Sequence, residues 1–144
     1  MNHTEKSPFQ IRILAAAMLL GTLTAGAALA ADIKVTLSGA NEVPPVTTSA
    51  AGSGTITVGD DGAVSGSVMT TGVAGTAAHI HEAAAGKNGP VIVPLTKDGD
   101  MYKAAAGAKL TPAQMESLKA GNLYVNVHSD KYKGGELRGQ LNSK

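Results

Sequence analysis

With 144 residues, 43% of them hydrophobic, 18 glycines and no cysteine, the chain suits a single domain and excludes a disulfide scaffold or a thiolate-ligated metal site. Its 12 Lys and Arg against 11 Asp and Glu leave a net charge of +1, which excludes the basic face of a nucleic-acid binder. Aromatics make up 3%, so Val, Ile, Leu, Ala and Met must fill the core, which points to closely approaching sheets rather than a deep apolar ligand cavity.

In chain order, the first element is an export signal. Lys6 and Arg12 supply positive charge, Ile13 to Leu23 an apolar stretch, and Ala28-Leu29-Ala30 a small-x-small cleavage site. The apolar stretch is too short, and too rich in Ala and Gly near its end, for a bilayer span of about 20 residues. The expectation is a signal peptide over 1–30 and a mature domain over 31–144, periplasmic or secreted, with no membrane attachment after cleavage. Losing Lys6, Arg12 and Glu5 takes the basic count from 12 to 10 and the acidic count from 11 to 10, so the mature chain is neutral.

Residues 33–37, 55–58 and 64–70 alternate small polar with branched apolar side chains, the pattern of half-buried strands. Gly59-Asp60-Asp61-Gly62 between the second and third predicts an antiparallel hairpin. Pro44 to Ser53 reads as a mobile loop bordering a site. Further strands are expected at 77–82, 91–95, 101–104, 123–128 and 136–141. Thr111-Pro112-Ala113-Gln114 carries an N-cap, a first-turn proline and a capping-box Gln, and Leu110, Met115 and Leu118 recur at helical spacing before a Gly121 stop. This predicts one short helix laying a small apolar face on the sheets.

His79, His81 and His128 are the only histidines beyond the leader. On a strand His79 and His81 point the same way, with Ile80 into the core. In the run Leu123 to His128, Leu123, Val125 and Val127 form the apolar face, and Tyr124, Asn126 and His128 the other. All three imidazoles thus fall on polar strand faces, a His-x-His clamp plus one further donor. Three neutral nitrogens suit copper or zinc better than magnesium or calcium. Closed zinc sites recruit thiolates or a fourth ligand, which favours copper. Each histidine alone is equally served by a hydrogen bond across the strand surface.

The remaining polar residues carry less. Met69 and Met101 offer thioethers for Cu(I), though a strand methionine is ordinarily core filler. Glu82 falls opposite His81 and reads as a solvated charge. Glu136 and Arg138 share a face and either pair with each other or orient groups at the site. No nucleophile elbow, glycine-rich phosphate loop or zinc-protease helix is present, and the lysine of Gly86-Lys87-Asn88-Gly89-Pro90 alone makes a weak anion site. Hydrolase and nucleotide-binding readings fall away.

Three blocks resemble a known family: Leu37-Ser38-Gly39-Ala40-Asn41-Glu42-Val43-Pro44-Pro45; Ala78-His79-Ile80-His81 running to Gly86-Lys87-Asn88-Gly89-Pro90-Val91; and Asn122 to His128 with Gly134-Gly135-Glu136-Leu137-Arg138-Gly139-Gln140-Leu141. In order and spacing they are similar to the CHRD domain, the module named after chordin and found in many exported bacterial proteins. The resemblance implies a β-sandwich and defines no activity. The His-x-His and Val-x-His strands also resemble the copper-ligand strands of copper–zinc superoxide dismutase. That second resemblance implies His79, His81 and His128 as copper ligands and Arg138 as an anion-guiding residue. No cysteine pair and no further histidines for a bridging ligand or zinc site accompany it.

The expectation is therefore an all-β chain, a Greek-key β-sandwich of about eight antiparallel strands with one short helix. It holds one copper ion through His79, His81 and His128. Its partners are the ion and either superoxide, in a dismutase-like reaction, or a copper-handling protein, in storage or delivery. The alternative is a metal-free module engaging a protein or matrix through 41–49 and 129–135.

Overall fold

The computed structural model describes residues 30–143, so the export signal expected over 1–30 lies outside the described residues except for Ala30. Eight strands form: β1 Ala31–Ser38, β2 Ala51–Val58, β3 Val64–Thr71, β4 Gly75–Glu82, β5 Val91–Asp98, β6 Met101–Ala104, β7 Leu123–Ser129 and β8 Leu137–Leu141. A single α-helix, α1 Pro112–Lys119, separates β6 from β7. Every strand predicted from alternation is found. The hairpin turn closes through Gly59 N–H to Ala63 O and Gly62 N–H to Gly59 O. The capping box of α1 forms as expected, with Thr111 Oγ1 accepting from Gln114 N and Gln114 Oε1 from Thr111 N.

The strand order is β1-β2-β3-β6-β5-β4-β7-β8, with β8 returning to β1 to close a barrel. In both β3-β6-β5-β4 and β6-β5-β4-β7 a strand returns beside the far end of a three-strand meander, the Greek-key arrangement. The sandwich expectation is thereby corrected: alternation shows which face is apolar but not which terminal strands meet. They meet through one pair, Ser38 with Arg138. Gly139 permits it, because a Cβ there would collide with the Thr36 carbonyl oxygen and the Val35 and Leu37 side chains.

The barrel interior is filled by inward residues of every strand, among them Ile33, Leu37, Ile56, Val68, Ile80, Val93, Tyr102, Leu123, Val125, Val127 and Leu141. Met115 and Leu118 of α1 pack on the same core. On β1 the outward residues are exposed, so burial alternates. β7 differs: Leu123 to Val127 are buried without a break. Its outer face, with those of β4 and β8, is roofed by three loops. These are 39–50, tied down by Val46 N–H to Gly39 O and by Thr48 to Glu136; 83–90; and 130–136. The segment expected as a mobile loop to Ser53 is shorter and anchored, since β2 already begins at Ala51.

Candidate metal centre

The site is built on the roofed outer face of β4 and β7. In register, Ala77 lies opposite His128, His79 opposite Asn126, and His81 opposite Tyr124. His79 and His128 are therefore diagonal neighbours, near enough for long side chains to meet. A register shift between Ile80 and His81 on the β5 side marks a bulge, which re-aims local side chains. Ile80 points inward and is 1% exposed. Ligand atoms of His79, His81 and His128 all lie within 4.8 Å of one another. The structure thus brings together the three histidines singled out from the sequence.

Each ring is held by a specific partner. His81 Nδ1 lies 3.0 Å from the Gly89 carbonyl oxygen, and His128 Nδ1 lies 2.9 Å from that of Lys133. A carbonyl only accepts, so both Nδ1 atoms carry the proton, and in a neutral ring the lone pair is left on Nε2. His79 Nδ1 stands 3.1 Å from His128 Nε2. That separation is close to the spacing of about 3.3 Å between two nitrogens on one tetrahedral ion with bonds of about 2.0 Å. Burial lowers the His79 pKa below its ordinary value, and repulsion from His128 and His81 adds to this. Burial also lowers that of His81, with help from His128 and Arg138 and against the Gly89 hydrogen bond. At neutral pH both therefore present uncharged rings, the form that binds metal.

His81 is the deepest of the three, buried where His79 and His128 are half-buried. Its ring stacks on Tyr124, with centroids 5.0 Å apart and planes 13° from parallel. Its Nε2 is the one buried side-chain nitrogen or oxygen among the described residues that lacks a hydrogen-bond partner. Burying such an atom unpaired costs about 1–3 kcal/mol, and in a ring grouped with two other imidazoles an ion would satisfy it.

The charged residues behave differently from the sequence reading. Arg138, expected to guide anions, is 1% exposed. Its terminal nitrogens donate to the Lys87 and Ala84 carbonyls, Asn88 Oδ1 and Gln140 Oε1. Its guanidinium carbon lies 3.5 Å from the centroid of the Tyr124 ring. It also lines a groove of about 450 Å³ with Asn41, Glu42, Val43 and Pro45, to which no histidine contributes. Glu136 does not pair with Arg138; it accepts from the Thr48 and Ser129 hydroxyls at 2.8 and 2.6 Å. Glu82 is half-buried rather than freely solvated and accepts from Ser117 Oγ at 2.5 Å, tying β4 to α1. Met69 is 46% exposed and pairs with Met101 across β3 and β6, whereas the histidines sit on β4 and β7.

Sequence reasoning did not find Tyr124, Gly89 or the Glu42 and Asn126 pair. Tyr124 shares the parity of His128, which was a usable signal, but its place opposite His81 depends on the β4 to β7 register. Glu42 arrives from a loop more than 80 positions from Asn126, and nothing local marks that meeting. Comparison with curated proteins and with solved structures returns no match. The CHRD domain family model, by contrast, aligns with residues 33–141, from β1 to the last residue of β8, covering every strand and all three histidines. That span is most of the chain, and the chain belongs to the CHRD domain family.

Proposed function

We propose that this is an exported copper-binding protein whose CHRD domain holds one ion through His79, His81 and His128 and serves in copper storage or delivery. The orphaned Nε2 of His81 carries the reading. An atom buried without a partner beside two other imidazole donors is costly in the metal-free protein and useful only with an ion in place. The donor set supports copper over the alternatives: three neutral nitrogens and no thiolate suit neither a closed zinc site nor magnesium or calcium. His79 and His128 are half-buried, so the group stays reachable from solvent for exchange with a partner. Export rests on the leader features of 1–30 and places the domain in the periplasm or outside the cell.

Delivery is favoured over superoxide dismutation because Arg138, the residue expected to guide the anion, is buried with its terminal nitrogens already engaged by protein acceptors. The test is metal retention by the mature chain. After loading with Cu(I), Cu(II) or Zn(II) and gel filtration, we expect about one equivalent of copper per chain and loss of that copper in His79→Ala and in His128→Ala. Retention of none of the three metals overturns the reading and leaves a metal-free interaction module that engages a protein or matrix through the roof loops. The loaded protein should dismute superoxide no faster than buffer; a rate well above buffer would make it an enzyme.

A further inference from the structure

We propose that Arg138 is a positioning residue for His81, acting through the 83–90 loop and Tyr124 without touching the ion. The inference rests on the metal-site reading above and deepens it. Its starting point is Gly89, which holds two site residues at once. The Gly89 carbonyl accepts from His81 Nδ1 at 3.0 Å, while the Gly89 N–H donates to the Tyr124 hydroxyl at 3.1 Å. One peptide group on each side of this residue thus sets both rings of the stack. Gly89 is also pressed against the strand it serves: a Cβ there would collide with the Glu82 carbonyl.

Gly89 can hold the rings only if its own loop is held, and Arg138 supplies that. From β8 its guanidinium reaches the Lys87 carbonyl at 2.8 Å, the Ala84 carbonyl at 3.0 Å and Asn88 Oδ1 at 3.4 Å. Gln140, two residues on, takes the Ala83 carbonyl at 2.8 Å and accepts from Arg138 at 3.2 Å. The same guanidinium closes the stack from behind, 3.5 Å from the Tyr124 ring centroid. Arg138 therefore fixes His81 along two routes: through the loop it sets the proton on Nδ1, and through Tyr124 it sets the ring plane. Together they aim the Nε2 lone pair at the site. The task suits arginine because a planar fork with several fixed N–H groups can serve several acceptors, whereas a single ammonium group cannot reproduce their arrangement.

The readout that separates positioning from mere stability lies on the His81 ring of the metal-free protein. Long-range proton–nitrogen NMR should show wild-type His81 as the Nδ1–H tautomer with a slowly exchanging proton. In Arg138→Met that proton should exchange rapidly and the tautomers mix, and Cu(I) affinity, measured against a chromophoric chelator, should fall about 10–100-fold. Arg138→Lys keeps the charge and loses the fork, so it should resemble Arg138→Met. Recovery of wild-type exchange and affinity by lysine overturns the proposal, because charge alone would then suffice. An unchanged His81 ring in a folded Arg138→Met overturns it as well. If Arg138→Met does not fold, Tyr124→Phe removes the hydroxyl that accepts from Gly89 while leaving the stack; accelerated exchange at His81 supports the proposal and unchanged exchange overturns it. Wild-type protein that takes up no metal sinks the copper reading, while the ring measurements still decide the part played by Arg138.

Discussion

Glu42 shows how much a single residue under the roof responds to its surroundings. It is 5% exposed, and burial pushes its carboxyl up to about 7 despite the hydrogen bond from Asn126, the attraction of Arg138 and a backbone bond at Val43. The folded protein thus holds a proton on Glu42 over a range in which the unfolded chain, with an ordinary carboxyl near 4.5, has lost it. Stability from this group is complete below the unfolded value and is lost as pH rises through about 7. The loss is on the order of 3 kcal/mol. His79 and His81 act on the other limb: with pKa values lowered by burial, they cost stability as pH falls below the ordinary histidine value. Glu42→Gln cannot ionise, yet it still offers an oxygen to Asn126. Denaturant titrations of the metal-free protein should find the variant more stable than wild type at pH 8 and little different at pH 5. An equal difference at both values would mean that Glu42 is not titrating in the fold. The histidines themselves were legible from parity alone, because a period of two fixes their face whatever the strand pairs with. Glu42 was not legible, since its burial comes from loop 39–50 closing over β7.

At the level of elements, legibility follows how local the determining physics is. Helix α1 was readable to its cap because Thr111 and Gln114 bond each other's backbone three residues apart and Pro112 presets the φ of the first turn. β7 was readable as a strand, but the burial of its outer face was not, since that depends on loops arriving from 39–50, 83–90 and 130–136. Glu82 illustrates the same limit: parity put it on the face opposite His81 and suggested a solvated charge, but the docking of α1 half-buries it and gives it Ser117 as a partner. The helix and the site are carried by different elements, and this predicts how they separate on mutation. Thr111→Ala removes the acceptor for Gln114 N and should cost about 1 kcal/mol of stability, read as a shift in the urea midpoint with an unchanged slope. Copper retention should not move, because His79, His81 and His128 sit on β4 and β7. A cap variant that stays folded but loses copper would show that α1 supports the site.

For the molecule as a whole, closure of the barrel and construction of the site converge on one stretch of β8. The seam is the Ser38 and Arg138 pair, reinforced where Asn41 Nδ2 donates to the Arg138 carbonyl at 3.2 Å. Arg138 thus pairs with β1 through its backbone and anchors the 83–90 loop through its side chain. A sandwich and a barrel share the same alternating strands; what separates them is the single contact between the first and last, and no periodicity encodes it. The trace it leaves is Gly139, the next residue. Its backbone does not lie at positive φ, so alanine is conformationally acceptable there and any penalty comes from space. That space is absent, because the added methyl would meet the Thr36 carbonyl, part of β1 itself rather than a flexible side-chain tip. Gly139→Ala should therefore push β1 from β8 and cost about 2–3 kcal/mol. Hydrogen exchange should rise at Leu37, Ser38 and Arg138 before the rest of the barrel, and copper affinity should weaken as Arg138 shifts. A sandwich with β1 and β8 apart would accept this methyl without effect, so a neutral stability change with unaltered exchange along the seam would count against the closed barrel.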